Sequence, residues 1–125
     1  MASPSAPGRG WDLRLTMTEL PEVVRRYQDA HDRRDTETAL GTFTPDAIVT
    51  DEGHTYRGPV EIGDWLSRAS VKFNYTRTLT ACAEVGDDTW LVTNRLEGDF
   101  PGGVVELRYR FAISEGRVAE LHIAP

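Results

Sequence analysis

Polar residues at positions where the surrounding sequence is apolar are the first candidates for chemistry. Asp51 ends the apolar segment 47–51, and with the two-residue period of a strand it shares a face with Val49 and Ala47. Burial raises the pKa of a carboxyl toward the range that suits a general base. Two interpretations follow: Asp51 acts as a base in a pocket, or it caps the following loop and faces water.

A tyrosine and an asparagine occupy comparable positions. Tyr27 lies on the apolar stripe of a predicted helix, so its ring should be buried and its hydroxyl needs a partner. Asn94 stands between Val92 and Leu96 on a strand face that also carries Trp90, where packing favours an aliphatic group. Each polar group either satisfies backbone groups or faces a ligand.

Other polar and aromatic residues have weaker functional interpretations. Glu52 and His54 follow Asp51 in an expected exposed loop, and Trp65 belongs either to the core or to a pocket wall. Cys82 is interpreted as a small packed side chain. Six charged strand residues are interpreted as cross-strand pairs on a solvated or dimer-facing surface: Arg77, Arg95, Glu97, Glu106, Arg108 and Arg110.

Composition and motifs exclude several classes of function. The 125 residues suit one domain, and 14 basic against 20 acidic residues give a net charge of -6, which disfavours nucleic acid and anionic membranes as partners. Phosphate-binding, dinucleotide-binding, serine-hydrolase and zinc-protease motifs are absent, and the histidines have no metal-ligand spacing. We therefore expect no cofactor and no metal. The lack of a signal sequence or long apolar run predicts a cytoplasmic protein.

The elements that must position these residues begin after a tail. Residues 1–16 are rich in small residues, Pro and Gly and are predicted to be disordered, with the folded domain over 17–125. Apolar spacings of three and four predict a helix from Thr18 to near Arg34. Asp35 is predicted to cap a short second helix. Gly58-Pro59 precedes a third helix whose apolar face includes Ile62, Trp65, Leu66 and Ala69.

After Ser70 the apolar period changes from 3.6 to 2. Strands are predicted at 74–85, 89–97, 104–114 and 117–123, besides the earlier strand at 47–51. In the strand at 104–114, alternate residues are apolar, which predicts one buried face and one solvated face. Helices followed by an antiparallel meander indicate an α+β fold.

Several ordered segments together resemble a known superfamily. The chain is similar to the NTF2-like superfamily over about residues 18–125, and in particular to the SnoaL-like polyketide cyclases and the ketosteroid isomerases. The segments that carry the resemblance are Val23-Val24-Arg25-Arg26-Tyr27, then Asp35, then Phe43 through Asp51, then Tyr56-Arg57-Gly58-Pro59 leading to Ile62 and Trp65.

This resemblance implies a fold and candidate roles. The expected fold is a cone-shaped α+β barrel, with three N-terminal helices packed on a curved antiparallel sheet around an apolar cavity, often in a homodimer. Tyr27 matches the oxyanion tyrosine of the isomerases and Asp51 matches their proton-shuttling aspartate. Leu107 stands where the isomerases have a protonated acid, and the loss of such a donor typically costs ~10²- to 10³-fold in rate.

The resulting hypothesis is a cofactor-independent isomerase or cyclase acting on a small apolar cyclic molecule that resembles a polyketide or a steroid. Asp51 would relay a proton next to a carbonyl, and Tyr27 would donate to the oxyanion. Alternatives are a ligand-binding module without turnover and a scaffold whose sheet face mediates pairing. The expected substrate-binding residues are Asn94, Val49, Trp65, Trp90, Leu107, Tyr109, Phe111 and His54.

Overall fold

The computed structural model describes residues 20–125, apart from the side chains of residues 70–72. The tail expected at residues 1–16 lies outside the described residues. The helices are α1 (Glu22–Asp32), α2 (Thr36–Leu40) and α3 (Gly58–Lys72), and the strands are β1 (Phe43–Asp51), β2 (His54–Arg57), β3 (Tyr75–Gly86), β4 (Thr89–Gly98), β5 (Val104–Ser114) and β6 (Arg117–Ala124).

Helix α1 begins at Glu22, and the predicted cap at Asp35 is confirmed. Pro21 precedes α1, where its missing N–H costs nothing. Asp35 caps α2, because its Oδ1 accepts a hydrogen bond from the backbone N–H of Thr38 at 3.2 Å. Between the two helices Arg34 has a φ of 60°, and this left-handed residue turns the chain so that α2 can pack beside α1.

All six strands form one sheet in the order β2-β1-β6-β5-β4-β3. The hairpins from β3 to β6 are antiparallel as predicted. The β1–β6 pair, however, is parallel, whereas the family resemblance implied an antiparallel sheet. The long chain between these strands allows β1 to enter the sheet in this direction. The sheet is curved and does not close, and the α+β class is confirmed.

The β1–β2 hairpin departs from the prediction. Strand β1 starts at Phe43 and runs through Pro45, because the register against β6 shifts between Phe43 and Ile48; such an irregularity admits a proline. His54 lies in β2, not in a loop. The hairpin turn has positive φ at both Glu52 and Gly53, which is type I′ geometry. The sequence pair most typical of this turn is Asn-Gly, so Glu52-Gly53 did not predict it clearly.

The core lies between the helices and the concave, inner face of the sheet. Buried side chains from α1 include Val24 and Tyr27, and α3 contributes Ile62 and Leu66. The opposite, outer face of β4 and β5 carries exposed charged residues, so the predicted division into one apolar and one solvated face is confirmed there. Among residues 20–125, no helix has the length and hydropathy needed to cross a bilayer.

Candidate functional site

Asp51 lies half-buried at the end of β1, on the same face as the buried residues Ala47 and Val49. Its Oδ2 accepts a hydrogen bond from Trp65 Nε1 at 3.0 Å. Trp65 comes from α3 and is 5% exposed. The helix therefore places an indole donor against the sheet, and this donor both orients the carboxylate and stabilises its charge.

Aromatic side chains surround this pair. The ring of Trp65 stacks on Tyr56, with centroids 6.0 Å apart, and lies 6.4 Å from the imidazole of His31. The His31 ring in turn lies 5.9 Å from Tyr27. Tyr27 meets Phe111 edge to face at 5.7 Å. The aromatic wall thus runs without interruption from α3 through α1 to the sheet.

Two tyrosine hydroxyls share the interior with the carboxylate. Burial raises the pKa of Tyr27 well above its ordinary value, and the nearby Tyr109, Tyr75 and Asp51 add to the effect. Burial likewise raises the pKa of Tyr109, with further contributions from Tyr75 and Asp51. Both phenols consequently remain protonated at neutral pH. They can act as hydrogen-bond donors.

Asn94 is fully buried on the inner face of β4. Its neighbours across the two adjoining strands are Leu79 on β3 and Leu107 on β5, both half-buried. Its Oδ1 accepts a hydrogen bond from Arg77 Nη1 at 3.2 Å. The amide oxygen therefore bonds a side chain and not the backbone groups considered from the sequence.

The interpretation of Arg77 as a surface residue is wrong. Its side chain is only 15% exposed and its Nη2 lies 2.8 Å from Asp32 Oδ2. Arg77 pairs with Leu96 across β3 and β4, which puts it on the inner side of the sheet. Asp32, at the end of α1, compensates the charge, so this arginine can be buried where its residue type predicts exposure.

His31 and Tyr75 belong to the site but were not predicted as functional residues. The Tyr75 hydroxyl and His31 Nδ1 are 2.9 Å apart and hydrogen-bonded. Burial lowers the pKa of His31, Asp32 opposes this shift, and Arg77 reinforces it. The sequence does indicate that His31 lies beside Tyr27, because it follows Tyr27 by four residues on the same helix face.

The remaining predicted binding residues divide into three groups. Val49, Trp90 and Phe111 are buried parts of the core. Leu107 and Tyr109 are half-buried on the inner face and pack against that core. His54 is exposed and lies opposite Asp51 in the β1–β2 hairpin. Asp51 and Trp65 are thus joined by a hydrogen bond, and His54 lies beside Asp51 on the edge strand of the sheet.

Sequence comparison assigns the chain to a family. The pattern of the SnoaL-like domain family matches residues 24–121. The chain belongs to the SnoaL-like domain family. This confirms the SnoaL-like resemblance stated from the sequence. No match was found among curated proteins.

Solved structures agree with membership of the SnoaL-like family. A candidate polyketide cyclase from Sinorhizobium meliloti is 38% identical with a TM-score of 0.80, over 86% of this chain and 97% of that one. A hypothetical protein of ketosteroid isomerase-like fold from Catenulispora acidiphila, in complex with trimethylamine, is 19% identical with a TM-score of 0.73, over 84% and 85% of the two chains. A Mycobacterium tuberculosis protein in complex with estradiol-17beta-hemisuccinate is 14% identical with a TM-score of 0.69, over 82% and 90%. The last two show the fold alone.

Proposed function

We propose that this SnoaL-like protein is an isomerase- or cyclase-type enzyme that moves a proton next to a carbonyl. Its substrate would be an apolar cyclic molecule resembling a polyketide or a steroid. The observation that carries the proposal is the hydrogen bond between Trp65 Nε1 and Asp51 Oδ2 at 3.0 Å, in an interior shared with two protonated phenols. In this proposal Asp51 is the general base and a phenol is the oxyanion donor.

Asp51 and Tyr27 have complementary roles in this reaction. The Asp51 carboxylate removes a proton from the carbon next to the carbonyl, and the C–H electron pair moves into the ring system to leave an enolate oxygen. The Tyr27 hydroxyl donates a hydrogen bond to that oxygen as its charge develops. The protonated Asp51 then returns the proton to another carbon. Atoms and electrons balance without a further reagent.

The surroundings of Asp51 favour an apolar substrate. Val49 and Phe111 are fully buried, while Leu107 and Tyr109 present partly covered apolar surface on the same inner face. Such a lining excludes water and strengthens the electrostatic contacts that stabilise an enolate. The relative from Sinorhizobium meliloti, a candidate polyketide cyclase, supports a cyclic substrate.

The test uses a β,γ-unsaturated steroid ketone, 5-androstene-3,17-dione, whose conversion to the conjugated enone changes its ultraviolet absorbance. We expect slow conversion by the wild-type protein and a loss of at least ~10²-fold in Asp51→Asn, which cannot accept the proton. Asp46→Asn is the matched control, because Asp46 is an exposed residue of the same strand. An inert wild-type protein, or an Asp51→Asn variant with full rate, would refute the proposal.

A second candidate function is small-ligand binding without turnover. It is favoured by Leu107, an aliphatic residue at the position where the resemblance places a protonated acid. Relatives of this fold are in complex with trimethylamine and with estradiol-17beta-hemisuccinate. Saturable binding of a cyclic ketone, with no conversion and no effect of Asp51→Asn, would favour this alternative.

We also propose that the protein pairs with a second copy through the outer face of the sheet. The exposed Arg95 lies directly opposite Glu106 across β4 and β5, and Arg108 and Arg110 continue the same face. A surface that carries both signs of charge can be self-complementary about a two-fold axis. The proposed assembly is a homodimer.

A further inference from the structure

One guanidinium group fixes the orientation of two buried amides. Arg77 Nη1 donates to Gln28 Oε1 at 3.2 Å and to Asn94 Oδ1 at 3.2 Å. A guanidinium group can only donate hydrogen bonds, so both amide oxygens must face it. Their NH₂ groups are consequently turned away from Arg77. The assignment of oxygen and nitrogen in the two side chains is therefore chemically determined.

Both NH₂ groups are buried donors. Asn94 is 0% exposed and Gln28 is 4% exposed. Among residues 20–125, Gln28 Nε2 and Asn94 Nδ2 have no hydrogen-bond partner. A buried donor without an acceptor is costly to the folded state. Such a group is retained at low cost only if something else, such as a ligand, supplies the acceptor.

Asn94 adjoins a part of the inner face that is not fully covered. It lies on the inner face of β4, between Leu79 and Leu107 on the neighbouring strands. Both leucines are only half-buried although they point inward. Incomplete burial of inward-facing leucines marks a part of the inner face that the core does not cover. The amide donor thus stands within an apolar lining that remains partly open.

The charges around Arg77 select the kind of acceptor. Asp32 pairs with the guanidinium at 2.8 Å, and Asp29 Oδ1 lies 3.7 Å from it. These two carboxylates already compensate the positive charge, and a third carboxylate from a ligand would be repelled by them. The amide donors therefore suit a neutral acceptor, such as the oxygen of a ketone, an ester or an ether.

We propose that the Asn94 amide donates a hydrogen bond to a neutral acceptor oxygen of the ligand, at the end remote from Asp51. The inference deepens the proposed function, because it concerns the same ligand. Strands β6 and β5 separate β1 from β4, so Asn94 lies about 14 Å from Asp51 along the sheet, at about 4.8 Å per strand. The ligand class is an apolar cyclic molecule with two oxygens, one near Asp51 and one near Asn94.

The test compares two steroids that differ only in the remote oxygen. Estrone carries a phenol at one end and a ketone at the other, and 17-deoxyestrone lacks the ketone oxygen. Equilibrium dialysis gives the ratio of their dissociation constants. With wild-type protein we expect estrone to bind about tenfold more tightly, since the analogue leaves the Asn94 donor without an acceptor. In Asn94→Leu the ratio should fall to about one.

Two further variants keep the result interpretable. Asn94→Asp retains an oxygen for Arg77 but replaces the donor NH₂ with an acceptor, so it should abolish the preference for estrone even if Asn94→Leu fails to fold. Thr93→Val is the matched control, because it removes a polar group from the outer face of the same strand and should keep the wild-type ratio. A preference for estrone that survives in Asn94→Asp overturns the proposal.

The outcomes separate this proposal from the proposed function. Equal binding of the two steroids by a wild-type protein that still converts the unsaturated ketone would overturn the remote oxygen site and leave the role of Asp51 intact. A tenfold preference that depends on Asn94, in a protein without conversion, would support the oxygen site and refute catalysis. Failure of the wild-type protein to bind either steroid would overturn the assigned ligand class.

Discussion

The carboxylate of Asp51 and the indole of Trp65 meet across the boundary between the sheet and α3, with Oδ2 and Nε1 3.0 Å apart. Trp65 is 5% exposed and its ring is fixed by stacking on Tyr56. The donor is therefore rigid, and it stabilises the charged form of the carboxylate. An aspartate held in this way keeps a defined orientation.

Trp65→Phe should raise the pH at which activity reaches half its maximum. The substitution retains an aromatic ring but removes the N–H donor, so the Asp51 carboxylate becomes easier to protonate. We expect an upward shift of the pH profile for conversion of the unsaturated ketone. Trp90→Phe changes an indole in the core and is the control. An unchanged profile in a folded Trp65→Phe variant would argue against the role of the indole.

Replacing each phenol separately should distinguish the oxyanion donor from its neighbour. Tyr27→Phe should lower kcat by ~10²- to 10³-fold if its hydroxyl contacts the enolate oxygen. Tyr109→Phe, which removes the second phenol near Asp51, should lower kcat by less than about tenfold. Steady-state kinetics on both variants measure the difference. The reverse order of effects would assign the donor role to Tyr109.

Leu107→Asp should increase the rate of ketone isomerisation. A carboxyl placed in this apolar lining should be kept protonated by desolvation, and it can then donate a second hydrogen bond to the enolate. We expect a gain of at least about tenfold in kcat, with a loss of ~1 to 3 kcal/mol in the free energy of unfolding. Adding Asp51→Asn should remove the gain. A folded Leu107→Asp protein without any gain would indicate that Tyr27 and Asp51 do not act on a common carbonyl.

His31 should make the folded state sensitive to mild acid. Burial lowers its pKa in the folded protein, so below about pH 6.5 the unfolded chain binds more protons than the folded one. The free energy of unfolding should therefore fall as the pH drops from about 6.5 to the lower pKa of the folded state. Urea unfolding between pH 7 and pH 5 measures this slope. His31→Gln should reduce it, and the exposed His54→Gln is the control for loss of an imidazole.

A homodimer should form through the outer face of β4 and β5. Arg95 faces Glu106 across these strands, and reversing one charge, as in Arg108→Glu, should weaken self-association by disturbing electrostatic complementarity. Sedimentation velocity at micromolar concentration should show a dimer for the wild-type protein and a shift toward monomer for the variant. A wild-type monomer at that concentration would refute the assembly.

The parts of the fold that could be predicted are those with local causes. Strand alternation in β5 and the cap at Asp35 depend on neighbouring residues, and both are confirmed. The inner face of β1 was also predictable, because Ala47 and Val49 fix which side Asp51 shares. Local periodicity and capping therefore give most of the elements and the orientation of one candidate catalytic residue.

Features that depend on distant partners could not be predicted. The burial of Arg77 requires Asp32, 45 residues away in the sequence, and residue type alone favours exposure. The donor to Asp51 comes from Trp65 on a separate helix. Neither contact has a short-range signal, since both are created by packing of the helices on the sheet. The helices and strands can thus be predicted from the local sequence, whereas the polar contacts inside the site cannot.

The parallel pairing of β1 with β6 also determines when the site can form. Asp51 lies beside Ile123, a contact between residues far apart in the chain, and such non-local contacts slow folding because a long loop must close first. During synthesis, the β1–β2 hairpin emerges well before β6. The strand that carries Asp51 therefore reaches its place in the sheet only after nearly the whole described chain has left the ribosome, and its unpaired edge is exposed to other chains until then.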